Sequence, residues 1–506
     1  MLRQTSALLF LIKLLKIPVS LYSYSLIATL FGVSLAKDQW LLAYSIIIVL
    51  DLAVWGPVND IFRSKFVTVK EKFGEQIALK QSQSLLFYIF TFSALIVTFV
   101  MLRPDIISHI LVSDYSEVQM QSLNTMIQVV APILLINQAT LIGISILNAY
   151  DIFYIPELAT FFTQIISILI LLLSAKYLGI YSLILSTFIS LIILLLFIVV
   201  KIKQQKISLF TSFKPQFSDF KQYFIFALPL FIPYLIGQIN TVVEKRLISK
   251  QGVGSISIID FGKKFPDMVN AVVSSVLLTV LIPVLARAFV KKDEADFSKN
   301  FNQIFSLGIL GLGFFVVFMF FSSSDLMNFF YGNSDISKES MNKILQLNIF
   351  YSFAIIGVFM YVIFGMSMLA IGKNKLNAFA GSVTQIFVIT SNIFLIDQFG
   401  IIIFPLSILI AHILSSLYMF CYYPYSKYDV VKTFAKNVFM LLIVLVLMKF
   451  ILPLVLNQLP SDSSILFRLA IASVLQLIIF IIVGSLLNLE EFISALIIVK
   501  KRLGVK

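Results

Sequence analysis

Long apolar runs, interrupted by short polar stretches, set the rhythm of this sequence. The runs 85–102, 178–200, 301–321, 401–422 and 439–456 are nearly free of charge. A helix needs about 20 mostly apolar residues to cross the hydrocarbon core of a bilayer. One such run can be the buried helix of a soluble protein, but no soluble core covers so many. Read the same way from end to end, the pattern predicts crossing helices over 7–33, 40–62, 85–102, 123–148, 155–174, 178–200, 223–243, 255–286, 301–322, 344–371, 377–395, 400–423, 437–456 and 464–487. The predicted fold class is all-α integral membrane, with about fourteen transmembrane helices.

Composition agrees. The chain is 59% hydrophobic and 12% charged, against about 25% charged in a soluble domain. The net charge of +13 could signal nucleic acid, but the cations are spread over loops without a basic-aromatic motif, so no nucleic-acid partner is expected. Cytoplasmic loops of membrane proteins are enriched in Lys and Arg. With the N-terminus placed in the cytoplasm, 24 cations fall inside and 8 outside. The inner set includes Arg63, Lys65, Lys70, Lys72 and Lys80, then Lys201 to Lys221, and the tail Lys500, Lys501, Arg502 and Lys506. Both ends are therefore expected in the cytoplasm. Lys13 and Lys16 interrupt the first apolar run, which reads as a retained helix and not a cleaved leader.

The chain also resembles itself. Residues 147–165 resemble 368–386 at a shift of 221, with Thr163-Gln164-Ile165 on Thr384-Gln385-Ile386, and span two overlays span eight. The implied plan is an N-terminal lobe over 1–222, a C-terminal lobe over 223–430, and a two-helix extension with a basic tail over 431–506. Such parallel repeats are one of the recurrent transporter plans.

Catalytic signals are missing. The single Cys421 excludes a disulfide within the chain, and His109 and His412 are far apart with no metal spacing. There is no phosphate-binding loop, zinc signature or nucleophile elbow. The expectation is a non-enzyme without cofactor or metal, acting as a monomer and drawing on an ion gradient, membrane potential or downstream consumption.

Ionisable residues inside spans are costly and mark function by default. Span one carries Lys13 and Lys16, span two Asp51 and Asp60, and span eight Asp260, Lys263, Lys264 and Asp267. The last four can form two pairs four residues apart, Asp260–Lys264 and Lys263–Asp267. Lys13 and Lys16 have no acid beside them on their own helix. They are expected to pair with Asp51 or Asp60, or to face an anionic ligand; Lys13 could also reach the cytoplasmic surface. A plainer reading makes the charges mutual neutralisers that hold helices in register. Helix breakers accompany them: Pro18, Gly56-Pro57, Pro229, Pro233 and Pro266. Charged, kinked helices are expected to line a water-filled cavity between the lobes.

Specific residues carry a resemblance. The run Phe31-Gly-Val-Ser-Leu-Ala-Lys-Asp-Gln-Trp-Leu-Leu-Ala-Tyr resembles the first loop and second helix of the MurJ/MviN lipid II flippases, within the MOP superfamily. Asp38 falls on the family's aspartate there, and Asp260 on another. Ile239-Asn-Thr, Gly254-Ser-Ile-Ser, Phe265-Pro266 and Leu281-Ile-Pro-Val-Leu-Ala-Arg follow the family's seventh and eighth helices. The resemblance implies a flippase for an undecaprenyl-pyrophosphate-linked saccharide, the peptidoglycan precursor lipid II first, working beside cell-envelope synthesis enzymes. It implies that Lys16, Lys263 and Lys264 hold the pyrophosphate while Asp260 and Asp267 pair with the lysines when the site is empty. Bilayer lipids surround it, and the last two helices would take the lipid tail. The family's cavity arginines are replaced: helix one reads Ile17 and Ser23, the helix-two region has Asp51, and helix eight reads Phe261. That keeps an O-antigen, capsule or exopolysaccharide unit as a competing substrate. A multidrug exporter and a non-transporting scaffold rank below both.

Overall fold

A computed structural model describes residues 2–205, 207, 214–460 and 463–489, apart from the side chains of 2–11, 14, 275–280, 282 and 283. Its helices are α1 (Leu2–Phe31), α2 (Leu35–Val54), α3 (Gly56–Phe73), α4 (Glu75–Leu102), α5 (Pro104–Leu111), α6 (Glu117–Val130), α7 (Ile133–Ala149), α8 (Tyr154–Leu178) and α9 (Tyr181–Gln204). Then follow α10 (Phe217–Ser249), α11 (Ser255–Val290), α12 (Glu294–Tyr331), α13 (Lys338–Ala370), α14 (Asn374–Phe399), α15 (Ile403–Cys421), α16 (Lys427–Leu456) and α17 (Ile465–Leu486). No strand occurs among the described residues. That is the expected result in lipid, where a helix satisfies its own backbone.

Ten stretches are long and apolar enough to cross a membrane, eleven when the bent pair α2–α3 is taken as one. The 48-residue stretch Asn374–Cys421 is two crossings: Gly400, at φ 55°, ends α14, and α15 doubles back to pack on it. Glycine alone takes that left-handed turn without strain. Counting α1 and α11 as well brings the described residues to the expected fourteen.

Several segment ends differ from the hydropathy reading. The stretch after span two, read as a basic loop, is helical: α3 runs to Phe73 and only Gly74 separates it from α4. The stretch 323–343, read as an external loop, holds the end of α12 and the start of α13. In 103–122 the chain forms α5 and begins α6. Hydropathy sees only the lipid-facing part of a helix, whereas its hydrogen bonds continue into the polar zone. Serines close several of these ends. Ser34, Ser337, Ser426 and Ser464 accept a backbone N–H at the starts of α2, α13, α16 and α17, and Ser116 with Gln119 forms a full capping box on α6.

The chain divides into two compact units, one ending at Ser257 and the other starting at Ile258. In the first, α8 packs on α9 and α1, α7 packs on α9, and α10 packs on α2, α3, α4 and α5. This compact unit keeps α10, whereas the repeat read from sequence divides the chain at 222/223. Its core gathers Trp55, Phe62, Phe66, Leu85, Ile146, Ile198 and Tyr223. In the second unit, α13 packs on α15 and α12, and α16 and α17 both pack on α12. Phe297, Phe301, Phe305, Phe359 and Phe364 fill one core there, and Val317, Met440, Val444, Met448 and Ile479 another. Large apolar side chains such as Leu173 and Phe394, each 75% exposed, face outward as lipid contacts do. The basic tail Lys500, Lys501, Arg502 and Lys506 lies outside the described residues.

Candidate functional site

The first unit holds a polar pocket where α1, α8 and α9 meet. Lys16 on α1 reaches Glu157 on α8, with Nζ to Oε2 at 2.5 Å, and its Nζ also donates to Thr160 Oγ1. One turn further along α1, Ser20 Oγ accepts from Gln164 Nε2 at 2.6 Å. On α8, Glu157, Thr160 and Gln164 are spaced three and four apart, so they form one stripe facing α1. Beyond Lys16 opens a cavity of about 330 Å³, lined by Thr160, Thr163, Gln164, Ser167, Thr187, Ser190, Leu191 and Leu194. The arrangement can hold an anionic group at Lys16 and exchange hydrogen bonds with a hydroxyl-rich group along α8 and α9.

This corrects the pairing expected for Lys16, which meets neither Asp51 nor Asp60. Its acid comes from α8 because α1 packs along that helix. Lys13 is exposed, and so is Pro18; α1 continues unbroken through the proline. Glu157 and its neighbours were missed. Glu157 stands just inside the expected span 155–174, so the signal that flagged the other in-span charges was present.

The three acids of the α2–α3 region have separate environments. Asp38, in the first turn of α2, is buried and accepts from Gly254 N (2.6 Å), Ser257 N (2.8 Å) and Ser257 Oγ (2.5 Å). It thus caps the start of α11, whose first residues belong to the same unit. Gly254 is needed there, since its φ is +89° and a Cβ would lie 2.4 Å from Val33 Cγ1. Asp51 is buried and accepts from Asn137 Nδ2 (2.6 Å) and from Gln138 Nε2, both on α7. Asp60 is exposed and accepts from Tyr234 Oη at 2.5 Å. Between the last two, α2 and α3 are bent by 47° at Trp55, with Gly56-Pro57 opening α3 as expected of helix breakers. A Cβ on Gly56 would lie 2.4 Å from the Tyr234 ring.

In the second unit, Lys264 lies within electrostatic reach of Asp260, Asp267 and Lys263, so the cluster expected on one stretch of α11 is assembled. Lys263 and Lys264 are half-buried, Asp267 is exposed, and Pro266 is buried within an unbroken helix. A further cavity of about 540 Å³ is lined by Lys299, Asn302, Gln303, Asp429, Lys432, Lys436 and Asn437. Its lysines belong to the basic stretches read as cytoplasmic, which topology alone explains. Outside the spans, the two N–H groups of Arg103 hold the Asp105 carboxyl below its usual range. This surface pair carries no site. No group of three or more metal-binding side chains occurs among the described residues.

A family model described as lipid II flippase MurJ matches residues 27–483. The chain belongs to the MurJ lipid II flippase family. The solved lipid II flippase MurJ in an inward closed conformation matches with a TM-score of 0.76 and 20% identity, covering 95% of this chain and 98% of that one. An inward-facing multidrug resistance MATE family transporter matches at 0.64 and 12%, covering 82% and 95%. A MOP superfamily transporter from Pyrococcus furiosus, described as having a binding pocket of reversed polarity that suggests a different function, matches at 0.59 and 13%, covering 82% and 94%. At these identities the structures speak for the MOP fold alone. No curated protein matches the chain.

Proposed function

We propose that this member of the MurJ family moves an undecaprenyl-pyrophosphate-linked saccharide, lipid II first among them, from the cytoplasmic to the outer face of the inner membrane. It does so by exposing a head-group site alternately to the two faces. The observation that carries the reading is Lys16, a cation inside a membrane-crossing helix that is held by one acid beside a wall of hydroxyl and amide groups. An unpaired charge is expensive at this depth. A diphosphate can replace Glu157 at Lys16, so loading exchanges one anionic partner for another and never strands the cation. Thr160, Thr163, Gln164 and Thr187 then offer hydrogen bonds to sugar hydroxyls. Lys263 and Lys264, with Asp260 and Asp267 on the same helix, repeat the logic of a cation supplied with acids in the second unit. The protein works as a transporter and not an enzyme, as a monomer with both ends in the cytoplasm, beside the enzymes that make and use its substrate.

A second reading, another lipid-linked glycan such as an O-antigen, capsule or exopolysaccharide unit, is favoured by the lysines themselves. A lysine offers a point charge where an arginine grips a diphosphate with a planar fork. Expression in a strain whose own lipid II flippase can be switched off decides between them. Rescue of growth, lost in Lys16→Gln, supports lipid II. Failure of the well-expressed, folded protein to rescue, with transport of another undecaprenyl-linked glycan, supports the second reading.

A further inference from the structure

Asp51 is only 6% exposed and sits in the last turn of α2, just before the bend at Trp55. Its hydrogen-bond partners are two neutral amides, Asn137 and Gln138. The titratable group that feels its charge is the buried phenol of Tyr44, on α2 itself. Helices α3, α6, α7 and α10 pack along α2, and α11 meets it at Asp38. Among the described residues none of them brings a cation into ion-pair range of Asp51. Other buried carboxylates of this unit are treated differently: Asp38 has two backbone N–H groups and a hydroxyl at a helix start. A carboxylate buried without a cation costs several kcal/mol, and such groups ordinarily take up a neutralising partner.

Two partners of the same charge could serve, a proton or a sodium ion. Both amides point N–H groups at the carboxylate. That leaves a metal ion two oxygens where hard cations gather six or more. A proton needs no shell.

The surroundings give proton uptake a mechanical consequence. Gln138 Oε1 accepts from Asn59 Nδ2 at 3.4 Å. Asp51 is on α2 and Asn59 on α3, so the chain Asp51–Gln138–Asn59 straps the two sides of the 47° bend through α7. When one oxygen of Asp51 takes a proton from water, it becomes an O–H donor. The amide facing it must then turn its carbonyl inward. If Gln138 turns, its N–H replaces its carbonyl in front of Asn59, and the strap is lost or must reverse. We propose that Asp51 is a proton-binding site whose occupancy resets the Gln138–Asn59 strap across the α2–α3 bend, which makes this bend a proton-responsive joint.

Trp55 stands at the joint, buried, with its indole N–H on Ser93 Oγ at 2.8 Å. Trp40 is the other tryptophan, so a Trp40→Phe protein in lipid nanodiscs reports the joint alone. In sodium-free buffer, Trp55 emission should follow a one-proton transition with pH. Asp51→Asn should remove the transition and hold emission at its acidic-side value. If that variant does not fold, a second measurement decides. Spin labels at Ile48 and Val67, both exposed, in a Cys421→Ser background measure the bend directly. Their separation should differ between acid and alkaline pH, and Asn59→Ala should abolish the difference. The proposal is overturned if the separation is the same at both ends of the titration. It is also overturned if the transition persists in Asp51→Asn, or if sodium at fixed pH moves Trp55 and protons do not. None of these readings depends on which molecule is transported.

Discussion

Exchanging Lys16 and Glu157 separates a packing role from a transport role. The contact is 2.5 Å, with side chains 23% and 33% exposed. An exposed ion pair contributes at most about 1 kcal/mol, and breaking a fully buried one costs about 3–5 kcal/mol. This pair lies between those limits, and Thr160 adds a hydrogen bond to the same nitrogen. Each single truncation, Lys16→Ala or Glu157→Ala, should therefore destabilise the protein by about 1–3 kcal/mol. The double truncation should cost less than the sum, with a coupling energy of about 1–2 kcal/mol. The reversed pair, Lys16→Glu with Glu157→Lys, restores opposite charges at the same positions and should recover most of the loss in a denaturant titration in mild detergent. Transport should not recover. The reversal puts a carboxylate on α1 where the diphosphate needs a cation, so flipping in proteoliposomes should fall at least about tenfold, equivalent to about 1.4 kcal/mol. A reversed pair that flips substrate as well as the parent would refute the assignment of Lys16 to the substrate. A cycle with zero coupling would refute the ion pair itself.

Two further outcomes follow from single positions. Gly56→Ala forces its new methyl group against the Tyr234 ring and should cost about 1–3 kcal/mol, as overpacking does; thermal denaturation should show part of this restored by Tyr234→Ala in the same chain, and an unchanged midpoint for Gly56→Ala would mean the ring does not pack there. Cys421, the single cysteine and exposed at the end of α15, should react with a membrane-impermeant maleimide in inside-out vesicles and not in intact cells, whereas a protein carrying Cys421→Ser and Asp114→Cys should show the opposite; labelling of Cys421 in intact cells would invert the orientation.

Most crossings were legible because lipid demands long apolar runs; α1, the bent α2–α3 pair and α11, which carry charges within them, were less so. Helix ends were less legible. Residues 63–73 are rich in charge, so hydropathy stops at the membrane surface, while the backbone of α3 carries on to Phe73. The bend at Trp55 was anticipated from Gly56-Pro57, but its angle depends on what packs inside it, and Tyr234 comes from a helix more than 170 residues away in sequence. The same distance problem hid the partner of Lys16. Its acid lies 141 residues later, and only the packing of α1 along α8 makes the two neighbours.

The acids show why a tally of in-span charges could not choose a substrate. Four lysines and four aspartates in spans one, two and eight balance, which leaves an anionic and a cationic ligand equally served. In the first unit these charges differ by environment and not by number. Asp51 is enclosed by amides, Asp60 is outside on a phenol, and Asp38, flagged by resemblance, spends its oxygens on a helix start. Amides and backbone N–H groups carry no charge, so no scan of charged residues reveals them. Lys16, by contrast, borders an open pocket, and Glu157 beside it is the acid the tally omitted. A ligand entering that pocket meets a cation whose present partner can be displaced, together with donors and acceptors suited to sugars. Cationic drugs would have to displace Lys16 from Glu157 and leave the lysine unpaired in the membrane, a loss that an anionic head group avoids. On that asymmetry, more than on net charge, rests the preference for an anionic lipid-linked substrate over a drug.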